Sequence, residues 1–124
     1  MIAQAIHVAI LDDEASIREA LSRLLTTPGM VAHAYATSDE LFESVALNCP
    51  DCLVLDLQMP GMSGLDVLKY LNQRQIRIPT IVITGHDEKH SRAACMNAGA
   101  VAYLLKPLDV EMLVDTIERI CGKP

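Results

Sequence analysis

Two hydrophobic periodicities alternate along this chain, and the alternation limits the folds that it can adopt. Stretches with apolar residues at helical spacing, such as Ile17, Leu21, Leu24 and Leu25, separate short runs of β-branched and apolar residues. The runs predict five strands: Ile6–Leu11, Met30–Tyr35, Cys52–Asp56, Thr80–Thr84 and Val101–Leu105. A repeated strand–helix order predicts a parallel sheet covered by helices on both faces, so the fold class is α/β.

The strand–helix unit occurs five times, which fits one doubly wound sheet. Right-handed crossovers leave few topologies for five parallel strands, and the flavodoxin-like strand order 2-1-3-4-5 is expected. The length of 124 residues suits a single domain, so residues 1–124 are predicted to form one domain. A hydrophobic fraction of 51% with 21% charged residues argues against a disordered chain.

Several helix boundaries carry recognisable signals. Residues 37–40, Thr-Ser-Asp-Glu, have the pattern of a capping box, and Ser63 and Asp109 are predicted N-caps. The fourth helix, predicted from about Asp87 to Ala98, has a poor apolar face and stops at Gly99. We expect this helix to be loosely held.

The charge balance excludes several partners. Ten basic and 16 acidic side chains give a net charge of −6, which opposes binding of this domain to nucleic acid or to an anionic membrane. No apolar run approaches the ~20 residues that span a bilayer. The first seven residues lack the basic segment of a signal peptide, so a cytoplasmic location is expected.

The cysteine pattern resembles a redox or zinc motif only in its spacing. Cys49 and Cys52 form a C-x-x-C pair, but the pair precedes a strand, whereas a reactive pair opens a helix that lowers the thiol pKa. We therefore expect free thiols, with Cys52, Cys95 and Cys121 acting as small apolar residues. His7 and His33 are expected to be ordinary strand residues.

Polar side chains collect at the carboxyl ends of the predicted strands. Asp12 and Asp13 follow the first strand, Asp56 ends the third, Thr84 ends the fourth and Lys106 follows the fifth. Ligands of open parallel sheets bind outside the carboxyl ends of the strands. The strand order therefore predicts that these five side chains lie together.

This set of residues suits phosphoryl chemistry. Neighbouring carboxylates repel one another, so Lys106 and a hard divalent ion such as Mg²⁺ are expected to compensate them. A carboxylate can attack phosphorus and hold the phosphoryl group, while cations and the Thr84 hydroxyl neutralise its oxygens. Taken singly, an aspartate after a strand is more often a helix cap, and Asp13 is a candidate cap for the first helix. No glycine-rich nucleotide motif occurs.

At these residues the chain resembles the receiver domain of the response regulators of bacterial two-component systems. The similarity extends from about Ala5 to Ile120, and the run Thr84-Gly85-His86 is similar to receivers attached to helix-turn-helix transcription factors of the FixJ/NarL type. The matching segments are Leu11-Asp12-Asp13-Glu14, Asp56-Leu57-Gln58-Met59-Pro60-Gly61-Met62-Ser63-Gly64, Ile83-Thr84-Gly85-His86 and Lys106-Pro107.

The resemblance implies which residues hold the phosphoryl group and the metal ion. Asp56 would accept phosphate from a phosphohistidine of a sensor histidine kinase. Asp13, Asp56 and the backbone carbonyl of Gln58 would bind Mg²⁺, and Asp12 would act partly through water. Thr84 would contact the phosphoryl group.

The resemblance also implies a switch. Lys106 would contact the phosphoryl group and precede a cis peptide bond to Pro107. Tyr103 lies at the family's aromatic switch position and would rotate inward when Thr84 moves. An equally good interpretation of Tyr103 is an ordinary strand aromatic.

The implied function is signalling through a stored phosphate. Phosphorylation would shift the fourth helix, fifth strand and fifth helix, through which a homodimer or a target protein could bind. The output would be a DNA-binding transcriptional domain missing from this chain. Alternatively, the chain is a stand-alone receiver that acts in a phosphorelay or by binding proteins. It would catalyse only its own phosphorylation and dephosphorylation, and so would not be an enzyme in the usual sense.

Three other functions are weighed against this one. A haloacid-dehalogenase-type phosphatase also uses an aspartate nucleophile, but its D-x-D pattern is missing because Gln58 stands two residues after Asp56. A receiver-like module that never takes phosphate would not need the full set of polar residues. A thiol oxidoreductase through Cys49 and Cys52 is the weakest alternative.

Overall fold

A computed structural model of the chain describes residues 5–88 and 90–121. Strands and helices alternate along these residues, as the sequence predicts. The elements are β1 (Ile6–Leu11), α1 (Ala15–Leu25), β2 (Met30–Tyr35), α2 (Ser38–Leu47), β3 (Cys52–Asp56), α3 (Gly64–Gln73), β4 (Thr80–Thr84), α4 (Ser91–Asn97), β5 (Ala102–Leu105) and α5 (Val110–Ile120).

The strands form one parallel sheet in the order β2-β1-β3-β4-β5. The predicted α/β fold with flavodoxin-like strand order is therefore confirmed. Four of the five predicted strands have the observed bounds, and β5 begins one residue later, at Ala102. In the register of the sheet, Asp56 pairs with Ile83 and Thr84 pairs with Leu105. This register brings the carboxyl ends of the inner strands to one edge of the sheet.

Each face of the sheet carries its own hydrophobic core. Along β1, Val8 and Ile10 pack toward Leu21 of α1 and Leu113 of α5, whereas Leu11 belongs to the core that includes α2 and α3. All the residues of β3 and β4 are buried, because helices cover both sides of these central strands. The two cores fix the strand ends from both sides.

Side-chain caps start three of the helices at the predicted residues. Thr37 and Ser63 form complete capping boxes with Glu40 and Asp66, and the Asp109 side chain accepts a hydrogen bond from the Met112 N–H at 3.2 Å. Each cap satisfies backbone donors that have no partner within the helix.

The first helix is not capped by Asp13, which the sequence offered as a candidate N-cap. Its N-cap is Glu14, whose side chain makes no capping hydrogen bond, so the cap assigned to Asp13 is wrong. The Asp12 side chain instead accepts from the Glu14 N–H at 2.9 Å. Asp12 is buried, whereas Asp13 is exposed.

Helix α4 has a poor apolar face, as the sequence predicts, but it is shorter than predicted because it begins later. Its seven residues start at Ser91 rather than near Asp87, and Cys95 is its buried residue. Asp87 and Glu88 are exposed and have no apolar side chains with which to anchor a helical turn. The helix ends before Gly99, whose φ of +105° favours glycine.

The cysteines are free thiols, as predicted. Cys52 begins β3 and is buried, Cys95 is buried, Cys121 is half-buried and Cys49 is exposed. Partial desolvation by neighbouring atoms, reinforced by the charge of Asp51, raises the pKa of Cys49, and burial raises the pKa of Cys52. A raised pKa disfavours the reactive thiolate, which argues against redox chemistry at this pair.

The two strand histidines lie side by side on β1 and β2. Nδ1 of His7 lies 3.2 Å from Nε2 of His33.

Within the ranges 5–88 and 90–121, none of the helices combines the length and the apolar character needed to cross a membrane.

Gly64 begins α3 where the helix meets the end of β3. A Cβ atom at this position would lie 2.6 Å from the carbonyl oxygen of Asp56 and 2.9 Å from the Cα of Leu57. Both are backbone atoms, so any side chain would force α3 away from the strand that carries Asp56. The absence of a side chain at Gly64 therefore allows α3 to pack closely against the end of β3.

We predict that Gly64→Ala lowers the free energy of unfolding by about 1–3 kcal/mol, because overpacking displaces backbone. Urea denaturation measures the change. Gly29→Ala is the matched control, since a Cβ there meets no atom within 4 Å. An equal effect of the two substitutions would contradict this account of Gly64.

Candidate functional site

The five polar residues selected from the sequence come together at the carboxyl edge of the sheet. Asp12 follows β1 directly and Asp56 ends β3, while Thr84 ends β4 and Lys106 follows β5. Strands β1, β3, β4 and β5 are consecutive neighbours in the sheet. Asp13 completes the group next to Asp12, so the fold juxtaposes all five.

Three carboxylates form a compact acidic cluster. Each of Asp12, Asp13 and Asp56 offers an oxygen that lies within 4.8 Å of the others. Asp12 and Asp56 are buried, with 0% and 2% exposure, whereas Asp13 is exposed. Oxygen donors at this spacing, with one side open to water, suit a hard divalent cation that keeps part of its hydration. The donor set therefore fits Mg²⁺.

Lys106 is the cation that faces this cluster. Its Nζ lies 3.3 Å from Oδ2 of Asp12, 3.5 Å from Oδ1 of Asp56 and 3.8 Å from Oε1 of Glu14. Burial alone lowers the pKa of Lys106, but the charges of Asp12 and Asp56 outweigh it and raise that pKa. The ammonium group is therefore firmly protonated and bridges the two buried carboxylates.

One ammonium group does not fully compensate the cluster. Burial, followed by the charge of Asp12, raises the pKa of Asp56 to about 7, although Lys106 acts in the opposite direction. A carboxyl group with this pKa is partly protonated at neutral pH. Added positive charge near Asp12 and Asp13 would favour the ionised form of Asp56.

The backbone after β5 places Lys106. Its N–H donates to the carbonyl oxygen of Thr84 at 2.8 Å, which continues the sheet ladder beyond the strand. The peptide bond between Lys106 and Pro107 is cis. The side chain of Lys106 lies along the acidic cluster.

Thr84 is tied to the loop that follows its strand. The residue is fully buried, and its Oγ1 accepts from the His86 N–H at 3.0 Å. The same oxygen lies 2.5 Å from Oε1 of Gln58 and 3.0 Å from the carbonyl oxygen of His86. Sequence reasoning proposed the Gln58 backbone carbonyl as a metal ligand and did not predict this side-chain contact. No local signal predicts it, because the two residues are brought together by neighbouring strands.

Tyr103 is buried and its hydroxyl donates to Oδ1 of Asp87 at 3.3 Å. The guanidinium carbon of Arg92 lies 5.6 Å from the centroid of its ring. The ring therefore packs in the core while its polar end is held by the β4–α4 loop. Asp87 and Arg92 were not singled out from the sequence, since both look like ordinary surface charges.

Comparison with known proteins places these residues in a family. A family model described as the response regulator receiver domain matches residues 8–118. The DNA-binding transcriptional regulator NtrC of Escherichia coli (strain K12) is 37% identical over 112 residues, which are 90% of this chain and 24% of that protein.

A second relative and a solved structure agree. The transcriptional regulatory protein FixJ of Rhizobium meliloti (strain 1021) is 36% identical over 112 residues, covering 90% of this chain and 55% of FixJ. The crystal structure of FixJ-N has a TM-score of 0.84 at 37% identity and covers 96% of this chain and 95% of that one. The chain thus spans about a quarter of NtrC and about half of FixJ. The resemblance inferred from the sequence motifs is confirmed: the chain belongs to the response regulator receiver domain family.

Proposed function

We propose that this receiver domain accepts a phosphoryl group on Asp56 from a phosphohistidine of a sensor histidine kinase. The observation that carries the proposal is the convergence of Asp12, Asp13 and Asp56 with Lys106 and Thr84 at one sheet edge. This arrangement offers a nucleophilic carboxylate next to groups that neutralise phosphoryl oxygens. Family membership and site geometry thus support the same chemistry.

The transfer needs Asp56 in its ionised form. A carboxylate oxygen of Asp56 would form a bond to phosphorus while the phosphorus–nitrogen bond of the donor breaks. The donor imidazole nitrogen keeps the electron pair of that bond and takes up a proton. Lys106, which already contacts Asp56, is placed to bind a phosphoryl oxygen, and the Thr84 hydroxyl is a candidate donor to another.

The acidic cluster has a second task, which is to hold Mg²⁺. Asp12, Asp13, Asp56 and the backbone carbonyl of Gln58 are the proposed ligands, with Asp12 acting partly through water. When bound, Mg²⁺ supplies positive charge that neutralises phosphoryl oxygens. The proposed metal site is open to solvent at Asp13, which is exposed, whereas Asp12 and Asp56 are buried.

The site supports self-phosphorylation better than turnover of an external ester. Where a D-x-D phosphatase has its second aspartate, this chain has Gln58, whose amide contacts Thr84 and the His86 carbonyl. Gln58 has no carboxyl group with which to protonate a leaving group. We therefore propose a signalling phosphoacceptor of the cytoplasm rather than a phosphatase.

The proposed output face is formed by α4, β5 and α5. Four large apolar side chains on or beside these elements are exposed: Met96, Val101, Leu105 and Met112. We propose that phosphorylation makes this face a homodimer interface. A transcriptional output is proposed because NtrC and FixJ are transcriptional regulators. A stand-alone receiver in a phosphorelay remains the alternative, and it would use the same face for a target protein.

The phosphoacceptor is tested by incubating the protein with Mg²⁺ and acetyl phosphate and then measuring its intact mass. The proposal predicts the mass gain of a single phosphate, which disappears when Mg²⁺ is omitted. Asp56→Asn should show no gain, because an amide is not a nucleophile toward phosphorus. An equal gain in that variant, or none in the wild-type protein, would refute the assignment.

The output face is tested by light scattering on the phosphorylated protein. We predict that Met112→Glu weakens the phosphorylated dimer at least about tenfold, because an interface must desolvate the new carboxylate. Leu47→Glu is the matched control, since Leu47 is 89% exposed on α2, outside the proposed face. Equal effects of the two substitutions, or a monomeric phosphorylated wild-type protein, would contradict the proposed dimer.

A further inference from the structure

The Thr84 hydroxyl, which the proposed function assigns to the phosphoryl group, already has a partner in this structure. Its oxygen lies 2.5 Å from Oε1 of Gln58 and 3.0 Å from the carbonyl oxygen of His86, both of which are acceptors. A hydroxyl has a single proton to donate. The shorter distance gives that proton to Gln58.

The Gln58 amide makes a second contact across the same gap. Its Nε2 lies 3.4 Å from the carbonyl oxygen of His86, which makes Gln58 a donor to the β4–α4 loop as well as an acceptor from β4. The glutamine amide supplies both functions, whereas a carboxylate has no donor and a thioether has no strong acceptor. Gln58 therefore links the end of β3 to Thr84 and to the loop that follows it.

We propose that Gln58 is a positioning residue that acts as a resting-state latch, holding the Thr84 hydroxyl until the phosphoryl group displaces it. The inference rests on the proposed function and adds a competition within it. A charged phosphoryl oxygen is a stronger acceptor than a neutral amide oxygen, so the exchange of partners is favourable once Asp56 carries phosphate. Before phosphorylation, the latch holds Thr84 in its resting position.

Release of the latch reaches the buried aromatic ring through the loop. When the Thr84 hydroxyl leaves Gln58, the hydrogen bond between Gln58 and Thr84 is lost. Gln58 then contacts the loop only through its Nε2 and the His86 carbonyl oxygen. The same loop carries Asp87, which accepts a hydrogen bond from the Tyr103 hydroxyl at 3.3 Å. The latch thus biases an element with two arrangements, which is what a switch requires.

Two substitutions at position 58 test the latch in opposite directions. Gln58→Met keeps the side-chain length but removes the acceptor for Thr84. We expect the acetyl phosphate concentration for half-maximal phosphorylation, with Mg²⁺, to fall about 2- to 10-fold, the range of one neutral hydrogen bond. Gln58→Glu keeps an acceptor and adds negative charge beside the phosphoryl site, so this concentration should rise.

A readout without phosphate separates a latch from a general disturbance of the site. In proton–nitrogen spectra of the unphosphorylated protein, Gln58→Met should move the amide signals of Thr84, Gly85 and His86 toward their positions in the phosphorylated wild-type protein. Gln73→Met is the matched control, because Gln73 is exposed at the end of α3. That variant should leave these signals and the acetyl phosphate dependence unchanged.

The outcomes distinguish this inference from the function on which it rests. If the wild-type protein takes no phosphate on Asp56, the proposed function fails and the latch fails with it. If the wild-type protein is phosphorylated but Gln58→Met matches Gln73→Met in both measurements, the latch alone is refuted. Equal changes in the half-maximal acetyl phosphate concentration, in the same direction for Gln58→Met and Gln58→Glu, would also refute the latch.

Discussion

The contact of Lys106 with two buried carboxylates is the interaction on which the rest of the site depends. Parallel strands bring Asp12 and Asp56 to one edge of the sheet, where the cores on both faces bury them. Buried like charges are unfavourable unless an opposite charge lies close by. The ammonium group of Lys106 lies within 3.5 Å of both carboxylates, which makes this acidic edge compatible with a folded domain.

Lys106 does not fully compensate the buried carboxylates, and the raised pKa of Asp56 that results links the ionisation of this residue to the stability of the domain. Asp56 has a pKa of about 7 in the folded protein, above the ordinary value near 4 that an unfolded chain would have. Its contribution to stability is therefore fully present below about pH 4 and is lost as the pH rises through about 7. At neutral pH the ionised Asp56 is therefore a cost to the stability of the domain, and this ionised form is the one that the proposed metal binding and phosphoryl transfer need. Sites that perform chemistry commonly carry such a cost.

The sequence was enough to predict the sheet and the residues at its edge, because both follow from one-dimensional patterns. Apolar runs with helical spacing between them define the parallel sheet, and the strand order then brings Asp12, Asp56 and Lys106 together. Contacts across the sheet were not predictable in this way. The hydrogen bond between Gln58 and Thr84 joins residues that are 26 positions apart in the chain. The hydrophobic pattern of a sequence does not show which side-chain conformations bring two such residues into contact. The predicted start of α4 was too early because Asp87 and Glu88, which are exposed, have no apolar side chains with which to anchor a helical turn.

The most direct test of the central claim is the ionisation of Asp56, measured by carbon NMR of its side-chain carboxyl group as a function of pH. The account predicts a pKa of about 7 without divalent metal, because burial and Asp12 outweigh Lys106. It also predicts that saturating Mg²⁺ lowers that pKa, since a cation beside the acidic cluster favours the ionised form. A metal-free pKa near the ordinary aspartate value of about 4, or a pKa that Mg²⁺ leaves unchanged, would contradict it.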